Sequence, residues 1–242
     1  ASSLILTDSA ITKVTAAGTA DLTLTGTGSA AIATVDASTM SGKLTLDVSA
    51  AAATDTTVTG GSGADSINIG AITAADTVVG GEGSDTLVTA AAVSVANAVG
   101  VSGIEVLSIV NASASATITQ DMDAFAGVTS VSIGDTSNEI VALTDVSATM
   151  NTVNIVSANT ITAGSSFTRK VDTTADSLTI NMGAAAAGVT IARYNASNEE
   201  SVTINSAGGA NVITNFNAAD MTSLTMTGSK SNVISNAIIN AV

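Results

Sequence analysis

A five-residue phrase of polar, aliphatic, Ser/Thr/Asn, aliphatic and polar residues returns along this chain at a near-constant step, and it restricts the folds open to it. It reads Asp21-Leu22-Thr23-Leu24-Thr25, Lys43-Leu44-Thr45-Leu46-Asp47, Ser66-Ile67-Asn68-Ile69 and Thr86-Leu87-Val88 in the first part of the sequence. It continues as Val106-Leu107-Ser108-Ile109, Ser130-Val131-Ser132-Ile133, Thr152-Val153-Asn154-Ile155, Ser177-Leu178-Thr179-Ile180-Asn181, Ser201-Val202-Thr203-Ile204-Asn205 and Ser223-Leu224-Thr225-Met226-Thr227. The first aliphatic positions, from Leu22 to Leu224, are 20 to 25 residues apart. Alternation with period two is the pattern of a strand with one buried and one wet face. A constant step between such strands is the pattern of coils stacked on one another. The expected fold is therefore all-β, a parallel β-solenoid (β-helix or β-roll) of about ten coils, forming a single elongated domain over residues 1–242.

The competing arrangement is an antiparallel β-sandwich of short, regularly spaced strands. Against it, the same residue classes recur at the same place in each unit, and no Asn-Gly or Asp-Gly hairpin dipeptide separates the strands. Composition points the same way: 45% of the 242 residues are apolar but only 2% are aromatic, so the chain has side chains for a narrow core and few for a wide one. Phe125, Phe167, Tyr194 and Phe216 are expected to plug that core or its corners. Proline is absent, which leaves turns to Gly, Asn, Asp and Ser. The Ala-rich stretches Ala90–Ala98 and Ala184–Ala187 are expected to be short helical or loop excursions.

Charge and missing residue types exclude whole classes of chemistry. There are 20 acidic and 6 basic residues, a net charge of −14. The cations Lys13, Lys43, Arg169, Lys170, Arg193 and Lys230 form no basic stripe, so nucleic acid is not an expected partner. Cysteine and histidine are both absent; disulfides, thiolate nucleophiles, imidazole bases and the usual zinc sites go with them. An excess of Asp among Gly, Ser, Thr and Asn suits calcium, a hard cation that takes oxygen ligands. No apolar run is long enough for a membrane-spanning helix, and Ala1-Ser2-Ser3-Leu4-Ile5-Leu6 has no basic leader. The chain lacks an initiator Met and stops at Asn240-Ala241-Val242, so a processed product or a piece of something longer is expected.

Two segments carry a sharper signal: Gly60-Gly61-Ser62-Gly63-Ala64-Asp65-Ser66-Ile67-Asn68 and Gly80-Gly81-Glu82-Gly83-Ser84-Asp85-Thr86-Leu87-Val88. Both fit the nonapeptide Gly-Gly-x-Gly-x-Asp-x-aliphatic-x. Glycine permits left-handed turns that aim carbonyls inward, Asp adds a charged oxygen, and the aliphatic residue anchors the next strand. These segments resemble the calcium-binding β-roll repeats of the RTX family, secreted proteins of Gram-negative bacteria in which an ion lies between loops of consecutive turns. The resemblance implies a Ca2+ site from the carbonyls of Gly60, Ser62, Gly81 and Gly83 with the carboxylates of Asp65 and Asp85. Asp55 and Asp76 are implied as weaker ligands within the RTX-like stretch 55–90. The Asp-to-Asp step of 20 residues is longer than the family's, and Ala50–Thr54 and Ala71–Ala75 stand where the intervening half-turns would carry glycines.

Such nonapeptides inside a long Ser/Thr/Ala/Asn-rich chain, with phrases such as Val101-Ser102-Gly103-Ile104-Glu105-Val106-Leu107, look like bacterial surface-layer (S-layer) proteins with RTX repeats. That resemblance implies a non-enzymatic structural protein, secreted to the cell surface, folding with calcium and assembling with itself into a homo-oligomer or two-dimensional lattice. It also implies anchorage to lipopolysaccharide or another surface glycan through a part outside this segment. An RTX adhesin or secreted spacer module is the alternative. A β-helix enzyme acting on polysaccharide would draw on Arg169, Lys170, Arg193 and Tyr194, the only near-clustered candidates. Further acids at Asp121 and Asp123, Asp172 and Asp176, Asp135 and Glu139, and Glu199 and Glu200 are secondary candidates for ion sites at coil corners.

Overall fold

The computed structural model describes residues 1–8, 10–27, 31–50, 52–110, 117–134, 140–156, 160–183 and 188–238. The Ala184–Ala187 excursion and the Asp135 and Glu139 pair lie outside these residues. Contacts divide the chain into two compact units, Ala1–Ser108 with Ala124–Val128, and Ile109–Asp123 with Thr129–Val242.

In the first unit the strands are β1 (Ser2–Leu6), β2 (Lys13–Gly18), β3 (Leu22–Gly26), β4 (Ile32–Met40), β5 (Leu44–Asp47), β6 (Ala52–Thr59), β7 (Ser66–Asn68), β8 (Thr77–Val79), β9 (Thr86–Thr89) and β10 (Val101–Ser102). Odd-numbered strands stack in the order β1-β3-β5-β7-β9 and even-numbered ones in the order β10-β8-β6-β4-β2, with parallel pairing. After β11 (Val106–Ile109), the second unit continues the alternation with β12 (Thr117–Asp121), β13 (Ser130–Ile133), β14 (Ile140–Val146), β15 (Thr152–Ile155), β16 (Thr160–Arg169) and β17 (Ser177–Met182). It ends with β18 (Thr190–Asn195), β19 (Ser201–Ser206), β20 (Asn211–Asn217), β21 (Ser223–Gly228) and β22 (Asn232–Ile238). Its two stacks, β13-β15-β17-β19-β21 and β12-β14-β16-β18-β20-β22, are also parallel. The chain is thus all-β with the parallel β-solenoid fold, and the antiparallel sandwich is excluded.

The odd-numbered strands from β3 to β21 are the ones the repeating phrase marks. Their aliphatic positions, Leu24, Leu46, Ile67 and Leu87 in the first unit and Val131, Val153, Ile180 and Val202 in the second, are buried, each worth roughly 1.5–3 kcal/mol of transfer free energy. The even-numbered strands supply the opposite wall. Val35, Val58 and Val78 stand in register as one buried column. Phe125, Phe167, Tyr194 and Phe216 are all buried, and the Tyr194 and Phe216 rings stack at 6.4 Å. Ala90–Asn97 is turn and loop, ending in a 3-10 turn at Ala98–Gly100.

Among the described strand pairs, register departs from the alignment of the recurring phrase at β5–β7 and at β15–β17. The recurring phrase sets Leu44 against Ile67 and Val153 against Leu178, whereas Leu46 pairs with Ile67 and Val153 with Ile180. Each slip is two residues. Because side chains alternate faces with period two, an even slip keeps every aliphatic residue inside. At the second slip the outward Asn154 falls beside Asn181, whose Nδ2 donates to Asn154 Oδ1 at 2.8 Å, and Asn205 Nδ2 donates to Asn181 Oδ1 at 3.2 Å. At the first, the N–H of Leu44 falls opposite Asp65.

Candidate metal centre

The turns 60–65 and 80–85 stack directly upon one another. Glu82 N–H donates to the Gly61 carbonyl at 3.0 Å, and Gly60 N–H donates to the Val79 carbonyl at 2.8 Å. Gly81 and Gly83 have φ of 115° and 119°, the conformation expected of the motif's glycines. The matching Gly61 and Gly63 lie outside that region and are required by close approach: a Cβ on Gly61 would overlap the Met40 carbonyl oxygen, and one on Gly63 would lie 2.6 Å from the Gly42 oxygen.

Asp65 and Asp85 close the same corner. Asp65 is 1% and Asp85 0% exposed. Asp65 Oδ1 accepts the Leu44 N–H at 2.7 Å, and its Oδ2 accepts the Gly61 N–H at 2.9 Å. Asp85 Oδ1 accepts the Asp65 N–H at 2.7 Å, and Glu105 Oε2 accepts the Asp85 N–H at 2.8 Å. Each carboxylate therefore receives the N–H that leads into the strand of the preceding coil. Short acidic side chains can stand in for a strand carbonyl in this way, and the slip between β5 and β7 is what brings Leu44 within reach of Asp65.

The two copies of the motif differ in one atom's surroundings. Asp65 Oδ2 has the Gly61 N–H, whereas Asp85 Oδ2 is buried without a hydrogen-bond partner. Burial, joined by the charges of Asp65 and Glu105 and opposed by the Asp65 N–H, pushes the Asp85 carboxyl up to about 6. A Cβ on Gly80 would overlap the Gly103 carbonyl oxygen and lie 2.6 Å from Asp85 Oδ2, so only glycine leaves room for both oxygens. The same cradle recurs one coil earlier, where a Cβ on Gly60 would overlap the Gly80 carbonyl oxygen and lie 2.6 Å from Asp65 Oδ2. A buried anionic oxygen beside a carbonyl, in a corner cleared of side chains, fits an oxygen-seeking cation such as Ca2+.

Of the implied ligands, then, Asp65 and Asp85 share one corner with the stacked turns that carry Gly60, Ser62, Gly81 and Gly83. The carbonyls brought beside the two carboxylates are those of Gly80 and Gly103. Glu105 joins the column as a third acid. The sequence signal that marks it is the repeated 20-residue step from Asp65 to Asp85 to Glu105, each followed by one residue and then Ile67, Leu87 or Leu107. Asp76 lies before β8 and uses both oxygens internally, Oδ1 accepting the Thr56 N–H at 2.7 Å and Oδ2 the Thr73 N–H at 2.8 Å; Asp55 is exposed. Among the described residues no three acidic side chains converge as a metal-binding cluster, so any site here must add backbone carbonyls to at most two carboxylates.

Of the secondary candidates, Asp121, Asp123, Asp176, Glu199 and Glu200 have structural partners. Asp123 pairs with Lys170 on the surface at 2.6 Å, and Asp121 Oδ1 accepts the Asp123 N–H at 2.9 Å. Asp176 Oδ2 accepts the Thr173 N–H at 2.6 Å, and Glu200 Oε2 accepts the Asp176 N–H at 2.7 Å; Asp172 and Glu200 line an acidic hollow with Asp220. Glu199 is buried against Arg169, whose Nε donates to Oε1 at 2.7 Å. Arg169 also donates to the carbonyls of Ser147, Met150 and Ser177 and lies over the Phe167 ring at 4.8 Å. The basic candidates thus do not form one surface constellation: Arg169 and Tyr194 are core residues, while Arg193 is exposed. Among the described residues no helix is long and apolar enough to cross a membrane. No protein-family model, curated protein or solved structure matches the chain.

Proposed function

We propose that this chain is a non-catalytic, calcium-binding structural segment of a secreted cell-surface protein, one that folds with calcium and assembles with its own copies into a surface-layer lattice. The observation that carries the calcium reading is Asp85 Oδ2, a buried carboxylate oxygen without a donor. Leaving such an oxygen bare costs free energy, and a bound divalent cation removes that cost. The lattice role, the secretion and the cell-surface location rest on the resemblance of the Gly-Gly-x-Gly-x-Asp turns and of the Ser/Thr/Asn-rich texture to RTX-bearing S-layer proteins. Calcium in the millimolar range outside the cell would couple export to folding, because stacked carboxylates repel until the ion binds.

The test is a calcium titration followed by circular dichroism and light scattering together, with an Asp65→Ala, Asp85→Ala double variant alongside. Strand signal and large assemblies that both appear with calcium, and are lost in the variant, are the expected result. Strand signal with a particle that stays monomeric favours the adhesin or spacer module. Indifference to calcium in both measurements removes the calcium reading.

A further inference from the structure

Resting on that calcium reading, we infer that the ion sits between the 80–85 turn and the following 101–105 turn, where Asp85 Oδ2, the Gly103 carbonyl and Glu105 hold it. The 101–105 turn carries no Gly-Gly-x-Gly-x-Asp sequence, so the resemblance gives it no role.

Three observations place the ion there. First, the carboxylate of the 60–65 turn is already satisfied, since the N–H groups of Leu44 and Gly61 occupy both oxygens of Asp65. A cation beside Asp65 would meet an oxygen whose charge is partly spent on backbone donors. Second, the motif carboxylate oxygen without a donor is Asp85 Oδ2, and the carbonyl that shares the space over Gly80 with it belongs to Gly103, one coil further on. Gly103 has φ of 61°, a left-handed turn that a side chain would strain. Third, Glu105 brings its carboxylate to the same coil junction, where Oε2 holds the Asp85 N–H at 2.8 Å. Asp85 is therefore flanked by an acid on either side along the column, its Oδ1 on the Asp65 N–H and its own N–H on Glu105 Oε2. Two carboxylates with carbonyl oxygens form a donor set suited to calcium, whose coordination tolerates irregular geometry better than that of magnesium.

The experiment is calorimetric titration of the full chain with calcium chloride, for the wild type and for Asp85→Asn, Glu105→Gln, Glu105→Asp and Asp65→Asn, with circular dichroism of every variant in calcium as the control for folding. The Asn and Gln replacements keep one acceptor oxygen for a backbone N–H and exchange the other oxygen, with its charge, for an amide NH2, which is why folding is followed in every variant. The expected result is loss of the site in Asp85→Asn and affinity about tenfold or more weaker in Glu105→Gln. Glu105→Asp, which keeps the charge but withdraws the oxygen by one methylene, should also weaken binding, while Asp65→Asn changes it by less than about threefold. If Asp65→Asn costs as much as Asp85→Asn and both Glu105 variants bind normally, the ion lies between the two motif turns; the calcium reading then stands and this placement falls. If the wild-type chain takes up no calcium, both fall.

Discussion

Asp85 Oδ1 accepts the backbone N–H of Asp65 at 2.7 Å, a bond that stacks the two motif aspartates in one buried column. Adjacent parallel strands lie about 4.8 Å apart, and at an effective dielectric of about 20 two charges at that separation repel by on the order of 3 kcal/mol. The backbone donors spread along the column offset part of this, and Asp85 Oδ2 is the oxygen they do not reach. The corner is therefore both a device for holding coils in register and the place where the ion-free fold is least satisfied.

Calcium should accordingly raise the midpoint of thermal unfolding. At a free concentration about a hundredfold above its dissociation constant, a ligand that binds only the folded state adds about 2.7 kcal/mol. Scanning calorimetry in calcium and in chelator measures the shift; in Asp85→Asn the two curves should coincide.

Acid should act in the opposite sense to its usual effect in the chelated protein. Asp85 is raised from 3.8 to about 6 in the folded chain, so between these values the folded state binds more protons than the unfolded one. Stability then rises as pH falls through that window, and the penalty is fully present above about 6. Glu199, raised by burial against the pull of Arg169, acts in the same direction. Unfolding midpoints at pH 7 and pH 5 in chelator should differ more for the wild type than for Asp85→Asn, with the lower pH more stable by comparison with that variant.

Gly80→Ala should disturb the corner without touching a charge. The new methyl would collide with the Gly103 oxygen and crowd Asp85 Oδ2, and overpacking of this kind typically costs about 1–3 kcal/mol. Gly164→Ala is the control, since the nearest atoms its methyl would meet belong to the exposed Arg193 side chain, at 3.3 Å and beyond. Denaturant melts of the two variants should separate them clearly, and equal stability would contradict the geometry of the cradle.

Breaking the buried ion pair of the second unit should be among the most damaging single changes. Arg169→Ala leaves Glu199 buried without its cation and strips donors from the carbonyls of Ser147, Met150 and Ser177. Removing one partner of such a pair costs about 3–5 kcal/mol. Phe216→Ala, which empties a fully buried site stacked on Tyr194, should cost a similar ~3–5 kcal/mol. Chemical denaturation in saturating calcium reads both.

Much of this was legible from local pattern. Period-two alternation marked the odd-numbered strands, and the aromatic residues were expected in the core where they are found. The even-numbered strands escaped notice because bulges interrupt their alternation, as between Thr15 and Ala17, Ile32 and Thr34, and Leu143 and Val146. Nothing local to Arg169 announces its partner Glu199, thirty residues on. Glu105 was passed over because its turn lacks the glycines that made Asp65 and Asp85 conspicuous.

Sequence alone determined which face of the odd-numbered strands from β3 to β19 is buried, since alternation is a property of neighbouring residues and survives any even slip in pairing. Tertiary structure alone decided the two-residue slips at β5–β7 and β15–β17, and with them which backbone N–H each acid meets. The physical reason is that burial of aliphatic side chains is equally well served by registers two residues apart, so the choice falls to hydrogen bonds between coils. Asp65 reaching Leu44, Asp85 reaching Asp65, and the one oxygen of Asp85 left without a donor exist only once the coils are stacked.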